Sequence, residues 1–132
     1  MTKIAIAGLI SGGIVLVLGL VISVLMRETA TELAQGFTFE MSGLQRALYH
    51  TALRLVSGLA VAIIVAFAMT QLPGLGQVLV LATAIWFLAY VPGFLLLSDL
   101  GTIGLGPTIK FIAWGWLEIF AAATAAWWWL GR

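Results

Sequence analysis

The sequence contains no cysteine and only one histidine. Without cysteine, the chain can form no disulfide, no thiolate metal site and no cysteine nucleophile. One histidine cannot supply both axial ligands of a haem, and no cluster of histidines and carboxylates shows metal-ligand spacing. The glycine motifs that bind dinucleotides or phosphates are missing, as is a credible serine, histidine and aspartate triad. We therefore expect no enzymatic activity of its own, no metal and no cofactor.

Charge is also scarce, because only 8% of the 132 residues are charged while 63% are hydrophobic. A soluble domain has about 25% charged and about 45–50% apolar residues, and a domain this small cannot bury so much apolar surface. The net charge of +1 provides no basic surface for nucleic acid. The composition therefore predicts an integral membrane protein that contacts the lipid bilayer and has no nucleic-acid partner.

Four apolar runs are each long enough to cross a bilayer, which takes about 20 residues of α-helix. These predicted spans cover residues 4–26, 52–72, 78–97 and 108–130. The period-two alternation of a membrane barrel is absent. We predict an all-α integral membrane protein, with a four-transmembrane-helix bundle that forms a single transmembrane domain over residues 1–132. A short extramembrane loop is expected between helices 1 and 2.

Local motifs mark two features of these helices. Ser42, followed three residues later by Gln45, matches a capping box, so the second helix should begin near Gly43, before the chain enters the membrane. Pro92 lies within the third span, where it removes one backbone hydrogen bond and predicts a bend or a break.

Lysine and arginine give a weak indication of orientation. Four spans place both termini on one side, together with Lys3 and Arg132. The positively charged residues assigned to the opposite side are Arg27, Arg46, Arg54 and Lys110. Because positive charge favours the cytoplasmic side, we expect a multi-pass protein of a bacterial inner membrane with non-cytoplasmic termini. A bias of this size also leaves dual insertion open.

Small residues recur along one face of three spans. Transmembrane helices associate through close packing at such residues, because lipid tails are as apolar as the side chains. The predicted helix-packing positions are Gly8, Gly12, Gly19, Gly58, Ala62, Gly115, Ala121 and Ala125. We expect them to pack within the chain, and the alternative is an oligomer interface.

Glu118 is the acidic residue that lies deep inside a span. It follows the start of the fourth run by about ten residues, hence about 15 Å, which is close to the middle of a hydrocarbon core about 30 Å thick. A lone carboxyl there is expected to be uncharged. Tyr90 lies at a similar depth and is the expected hydrogen-bond partner. Glu118 and Tyr90 form the candidate intramembrane polar site, which either binds a proton or substrate or makes a structural hydrogen bond.

Three basic side chains are assigned to the membrane edge. His50 and Arg54 are four residues apart and share a helix face, and Lys110 stands near the start of the fourth span. We expect all three to contact lipid headgroups, or alternatively an anionic group of a partner. At the edge, Arg54 and Lys110 would lie too far from Glu118 to pair with it.

Two functions are compatible with these features. We expect a structural or accessory subunit of a larger membrane complex, with no chemistry of its own and with other membrane subunits as partners. The alternative is a small homo-oligomeric transporter or channel in which the Glu118 carboxylate binds a proton or a substrate.

Overall fold

The computed structural model describes residues 1–27, 42–101 and 103–132. In these ranges the regular structure is entirely helical, without strands. The helices are α1 (Thr2–Leu25), α2 (Gly43–Ala68), α3 (Leu75–Asp99) and α4 (Leu105–Leu130). All four are long and apolar enough to cross a membrane. The predicted all-α fold with four membrane-spanning helices is confirmed, and it indicates a multi-pass protein in contact with lipid. The predicted loop between helices 1 and 2 falls mainly outside the described residues.

The start of α2 follows from its capping box. Ser42 Oγ accepts a hydrogen bond from the Gln45 backbone N–H at 3.3 Å, and Gln45 Oε1 accepts one from the Ser42 N–H at 3.0 Å. These bonds satisfy backbone donors that a helix start leaves unpaired. The helix therefore begins at Gly43, as predicted. Since it runs to Ala68, Arg54 is the twelfth of its 26 residues and lies near its middle.

Helix α3 is continuous through Pro92 from Leu75 to Asp99, which excludes the predicted break, while the alternative of a bend stays a prediction. Aromatic contacts hold the turns on both sides of the proline. The Tyr90 ring stacks on Phe94 with 5.6 Å between ring centres, and Phe94 stacks on Phe111 of α4 at 5.9 Å. This stack packs α3 against α4 next to the proline.

The four helices do not contact one another equally. The most extensive interface joins α1 to α2, and α4 packs against all three other helices. Although α2 and α3 are consecutive, they barely touch. Thus α1, α2 and α4 form a three-helix unit, and α3 lies on the outer side of α4.

Glycine permits the closest approach of α1 and α2. A Cβ atom on Gly58 would lie 2.1 Å from the backbone nitrogen of Gly12. A Cβ on Gly8 or Gly12 would lie 3.0 Å from the Cα of Leu59 or Leu55, respectively. The Gly8 and Gly12 pair therefore packs within the chain, where it brings two backbones into contact.

The packing face of α4 is rotated from the predicted one. Ala122, Ala123 and Ala126 are fully buried, whereas Ala121 and Ala125 are half-buried. Beside this face, the Ser11 hydroxyl of α1 donates a hydrogen bond to the Ala122 carbonyl at 2.9 Å. One helix turn therefore carries both an alanine contact and a buried polar link to α1.

The core occupies one half of the bundle. Buried residues of α2 begin at Gly58, and those of α3 end at Ala82. Both stretches lie toward the end that holds the chain termini and the turn between α2 and α3. At that end, the Trp127 indole N–H donates a hydrogen bond to the Pro73 carbonyl at 2.9 Å. The opposite half of α2 and α3 is packed less tightly.

We predict that Gly58→Ala destabilises the bundle by about 1–3 kcal/mol, the usual cost of overpacking, because the new methyl group forces α1 and α2 apart. Gly13→Ala is the matched control, since a Cβ on Gly13 meets nothing within 4 Å. Thermal unfolding in detergent should show a lower midpoint for Gly58→Ala and an unchanged or higher one for Gly13→Ala. Equal midpoints for the two variants would contradict the close helix contact.

Candidate functional site

The candidate site is an ion pair between α2 and α4. Arg54 Nη1 donates a hydrogen bond to Glu118 Oε2. The Glu118 side chain is 5% exposed and that of Arg54 is 28% exposed. The two helices run in the same direction, and the residues lie about 16 Å and about 20 Å from the respective helix starts at 1.5 Å per residue. The charges therefore meet at a similar depth.

This pair corrects the assignment of Arg54 to the lipid headgroups. The apolar run begins near residue 52, which places Arg54 at its edge, but the helix itself begins at Gly43. The nine residues in between move Arg54 to mid-helix. Glu118 is therefore not the lone carboxyl that the sequence indicated, because Arg54 pairs with it.

Helix α1 provides the space for the guanidinium group. A Cβ on Gly19 would lie 3.0 Å from Arg54 Cζ and 3.1 Å from Nη2. The guanidinium is therefore placed against the Cα of Gly19 on one side and against Glu118 on the other. One glycine and two charged residues thus connect α1, α2 and α4 at a single level.

Part of the Glu118 carboxyl has no partner. Oε1 is buried and makes no hydrogen bond among the described residues. Trp114 precedes Glu118 by one helix turn and lies against the carboxyl, but its buried indole N–H also lacks a well-formed hydrogen bond. The buried indole N–H of Trp86 on α3 is likewise unpaired. The site therefore retains hydrogen-bonding capacity beyond the ion pair.

Tyr90 is close to the site without forming the expected hydrogen bond to Glu118. Its ring packs on the glycine surface of α4, where a Cβ on Gly115 would lie 2.7 Å from Tyr90 Cε1. Among the described residues, the hydrogen bond to the Glu118 side chain comes from Arg54 instead. A charged donor satisfies the carboxylate more strongly than a phenol does, so Tyr90 forms a wall of the site.

The other two basic candidates remain at the surface. His50 is exposed and makes an edge-to-face contact with Tyr49, with 5.7 Å between ring centres. Lys110 is exposed in the second turn of α4. Neither joins Arg54 at Glu118, and their contact with lipid headgroups stays a prediction.

Two sequence signals point to the missed pairing. Arg54, Gly58 and Ala62 are spaced by four residues, so Arg54 shares the small-residue face of α2. Gly19 continues the glycine face of α1 that begins at Gly8. An arginine on a packing face, opposite another glycine, indicates a side chain directed into the bundle. On α4, the spacing of four residues between Trp114 and Glu118 likewise places the indole beside the carboxyl.

No protein-family model, curated protein or solved structure matches this chain.

We predict a strong coupling between Arg54 and Glu118. Arg54→Leu or Glu118→Leu alone should destabilise the protein by about 3–5 kcal/mol, because each leaves an uncompensated buried charge. The double variant Arg54→Leu/Glu118→Leu should recover most of this loss, because it leaves no charge in the interior. Thermal unfolding of the parent and the three variants measures the coupling, and additive losses in the double variant would show that the two side chains do not interact.

Proposed function

We propose that the protein is a small structural or accessory subunit of a larger membrane complex. The ion pair of Arg54 and Glu118 is the observation that carries this proposal. Each charge is neutralised by the other within the same chain, at the level where α1, α2 and α4 meet. Such a pair fixes how three helices are placed relative to one another, which is the property a scaffold needs.

The remaining helix supports the same proposal. Helix α3 packs mainly on α4, and its outer surface carries large apolar side chains, of which Val80 is 72% exposed and Leu88 is 74% exposed. Because α3 is held on one side only, its free side is available to a helix of another subunit. The unit of α1, α2 and α4 then serves as the anchor in the membrane, and α3 provides the surface that contacts the other subunit.

We predict that the protein, extracted from its native membrane in a mild detergent, migrates as a complex with at least one different subunit. Native mass spectrometry and identification of the co-purifying chains test this. A tag on the exposed Gln71 turn and a tag at the C-terminus should recover the same complex, which controls for interference by the tag. A monomer, or an assembly that contains only this chain, would refute the accessory role.

The second candidate is a small homo-oligomeric transporter or channel that uses Glu118. It is favoured by the unpaired Oε1 of Glu118 and the unpaired indole N–H of Trp114 beside it. Intramembrane carboxylates often mark ion pathways.

If this second function holds, Glu118→Gln should abolish a pH-driven flux in proteoliposomes, because glutamine cannot release a proton. Glutamine keeps the shape and a hydrogen-bond acceptor for Arg54 but removes its countercharge, so the flux is compared per amount of folded, reconstituted protein. Thr124→Val is the matched control on the same helix, since the Thr124 hydroxyl bonds only to the Phe120 carbonyl of its own helix. The control should retain the flux. Equal flux in the parent protein and Glu118→Gln would exclude Glu118 as the carrier.

A further inference from the structure

The turn between α2 and α3 marks a level in the membrane that does not depend on the length of an apolar run. Residues 69–74 lie between the two helices, and residues 71–74 are exposed. Irregular backbone that faces lipid does not occur in the hydrocarbon core, because its polar groups would lack hydrogen bonds there. The turn therefore lies at the headgroup boundary or beyond it.

Helix α4 reaches the same boundary through Trp127. Its indole N–H donates a hydrogen bond to the Pro73 carbonyl of the turn at 2.9 Å. The next residue, Trp128, is 48% exposed, so its ring lies on the outer surface of the bundle at this level. Tryptophan is enriched at membrane–water interfaces, because its ring is apolar while its N–H needs a polar partner. The end of α4 therefore agrees with the level that the turn indicates.

Arg132 covers the exposed ring of Trp128. Its Cζ atom lies 3.3 Å from the centre of that ring. At this distance the planar guanidinium lies roughly parallel to the ring, because a perpendicular one would bring a nitrogen too close to the ring atoms. Stacking uses the face of the guanidinium and leaves the five N–H donors at its edge. Among the described residues, Arg132 donates no hydrogen bond and forms no ion pair.

The termini end of the bundle, where α1 and α3 begin and α2 and α4 end, carries positive charge. Lys3 and Arg132 are both exposed there. The acidic side chains of the described residues lie elsewhere, because Asp99 is at the opposite end of α3 and Glu118 is within α4. The described part of the chain therefore offers Arg132 no carboxylate side chain.

The phosphate group of a phospholipid fits this position. Phosphates lie at the boundary of a phospholipid bilayer, which is the level that the turn and Trp128 indicate for Arg132. A phosphate accepts two parallel hydrogen bonds from the edge of a guanidinium, and an arginine stacked on an aromatic ring keeps that edge free. The charge, the level and the free donors of Arg132 thus all match a phosphate.

We propose that Arg132, held on the face of Trp128, binds the phosphate group of a phospholipid, and that this contact keeps the termini end of the bundle at the headgroup level. The proposal goes beyond the accessory role and does not depend on it. It names a lipid contact for one residue and fixes the position of the helices along the membrane normal.

This position determines the depth of the ion pair. Glu118 precedes Trp128 by ten residues of α4, which is about 15 Å at a rise of about 1.5 Å per residue. The hydrocarbon core is about 30 Å thick. With Trp128 at the boundary, Glu118 therefore lies near the middle of the core.

Solid-state NMR tests the contact directly, because lipid phosphorus dephases the signal of a nearby carbon. The chain is labelled with ¹³C at Cζ of its arginines, which are Arg27, Arg46, Arg54 and Arg132, and is reconstituted in phosphatidylcholine. A guanidinium that binds a phosphate by two parallel bonds has its Cζ about 4 Å from phosphorus, since each N–H···O bond spans about 2.8 Å. Arg132→Gln should reduce the dephased intensity by the contribution of one carbon. An unchanged dephased intensity would overturn the proposal, and it is the result expected if Arg132 instead meets a carboxylate of another protein.

Two further variants separate the guanidinium from net charge and from the ring. Lys3→Gln is the matched control, because it removes a positive charge at the same end without removing a labelled carbon, and its dephased intensity should equal that of the parent protein. Trp128→Leu keeps every labelled carbon but removes the ring beneath the guanidinium, so its dephased intensity should fall. A loss in Lys3→Gln as large as that in Arg132→Gln would overturn the specific contact, and an unchanged intensity in Trp128→Leu would overturn the role of the ring.

Spin labels test the depth that follows from the contact. Because the chain has no cysteine, Gln71→Cys in the exposed turn and Leu117→Cys beside Glu118 each provide a unique labelling site, and Leu117 is 39% exposed. Accessibility to oxygen and to a water-soluble nickel complex reports the depth of each label. The label at residue 117 should lie about 15 Å deeper than the one at residue 71, as the rise of α4 requires. Equal depths would overturn the proposed position of the bundle.

Discussion

The ion pair between Arg54 and Glu118 is the contact on which the arrangement of the helices depends. Removing two charges from water is costly, and the mutual attraction offsets this cost only if the groups meet in good geometry. The guanidinium must therefore reach the carboxylate of α4, and it does so across the space left by Gly19 of α1. This requirement sets the relative height of three helices. The contact of Gly58 with Gly12 then brings α1 and α2 close enough for the pair to form.

Packing is tight on one side of the ion pair and looser on the other. Toward the chain termini, small residues bring the backbones together, and Ala122, Ala123 and Ala126 of α4 are fully buried. Away from the termini, α2 and α3 have no buried residues before Gly58 or after Ala82, respectively. The charges thus lie at the boundary between the two regions. There the Glu118 side chain is 5% exposed and the Arg54 side chain is 28% exposed.

The sequence was sufficient for the number of helices, the start of α2 and the use of glycine between α1 and α2, because these depend on run length, a local cap and residue size. It was misleading for Arg54, because the relative height of α2 and α4 is set by how the two helices pack and not by where each apolar run begins. The buried alanines of α4 are displaced by about one residue from the predicted positions, because a run of small residues does not define which side of the helix packs. Beside Pro92, α3 makes an aromatic contact with Phe111 of α4, and no local sequence pattern reveals this contact.

Stability alone does not account for a charged pair at this depth. Replacing a buried ion pair with apolar residues of similar volume is often neutral or stabilising, and two leucines would fill the space between α2 and α4. Leucine offers no hydrogen-bond donor, whereas the guanidinium donates to the carboxylate from a defined position against Gly19. The stability of an ion pair depends on the geometry of its two groups, whereas apolar contacts tolerate small shifts of one helix along another. The feature that distinguishes this pair from an apolar contact is therefore the single alignment of α2 with α4 that it favours.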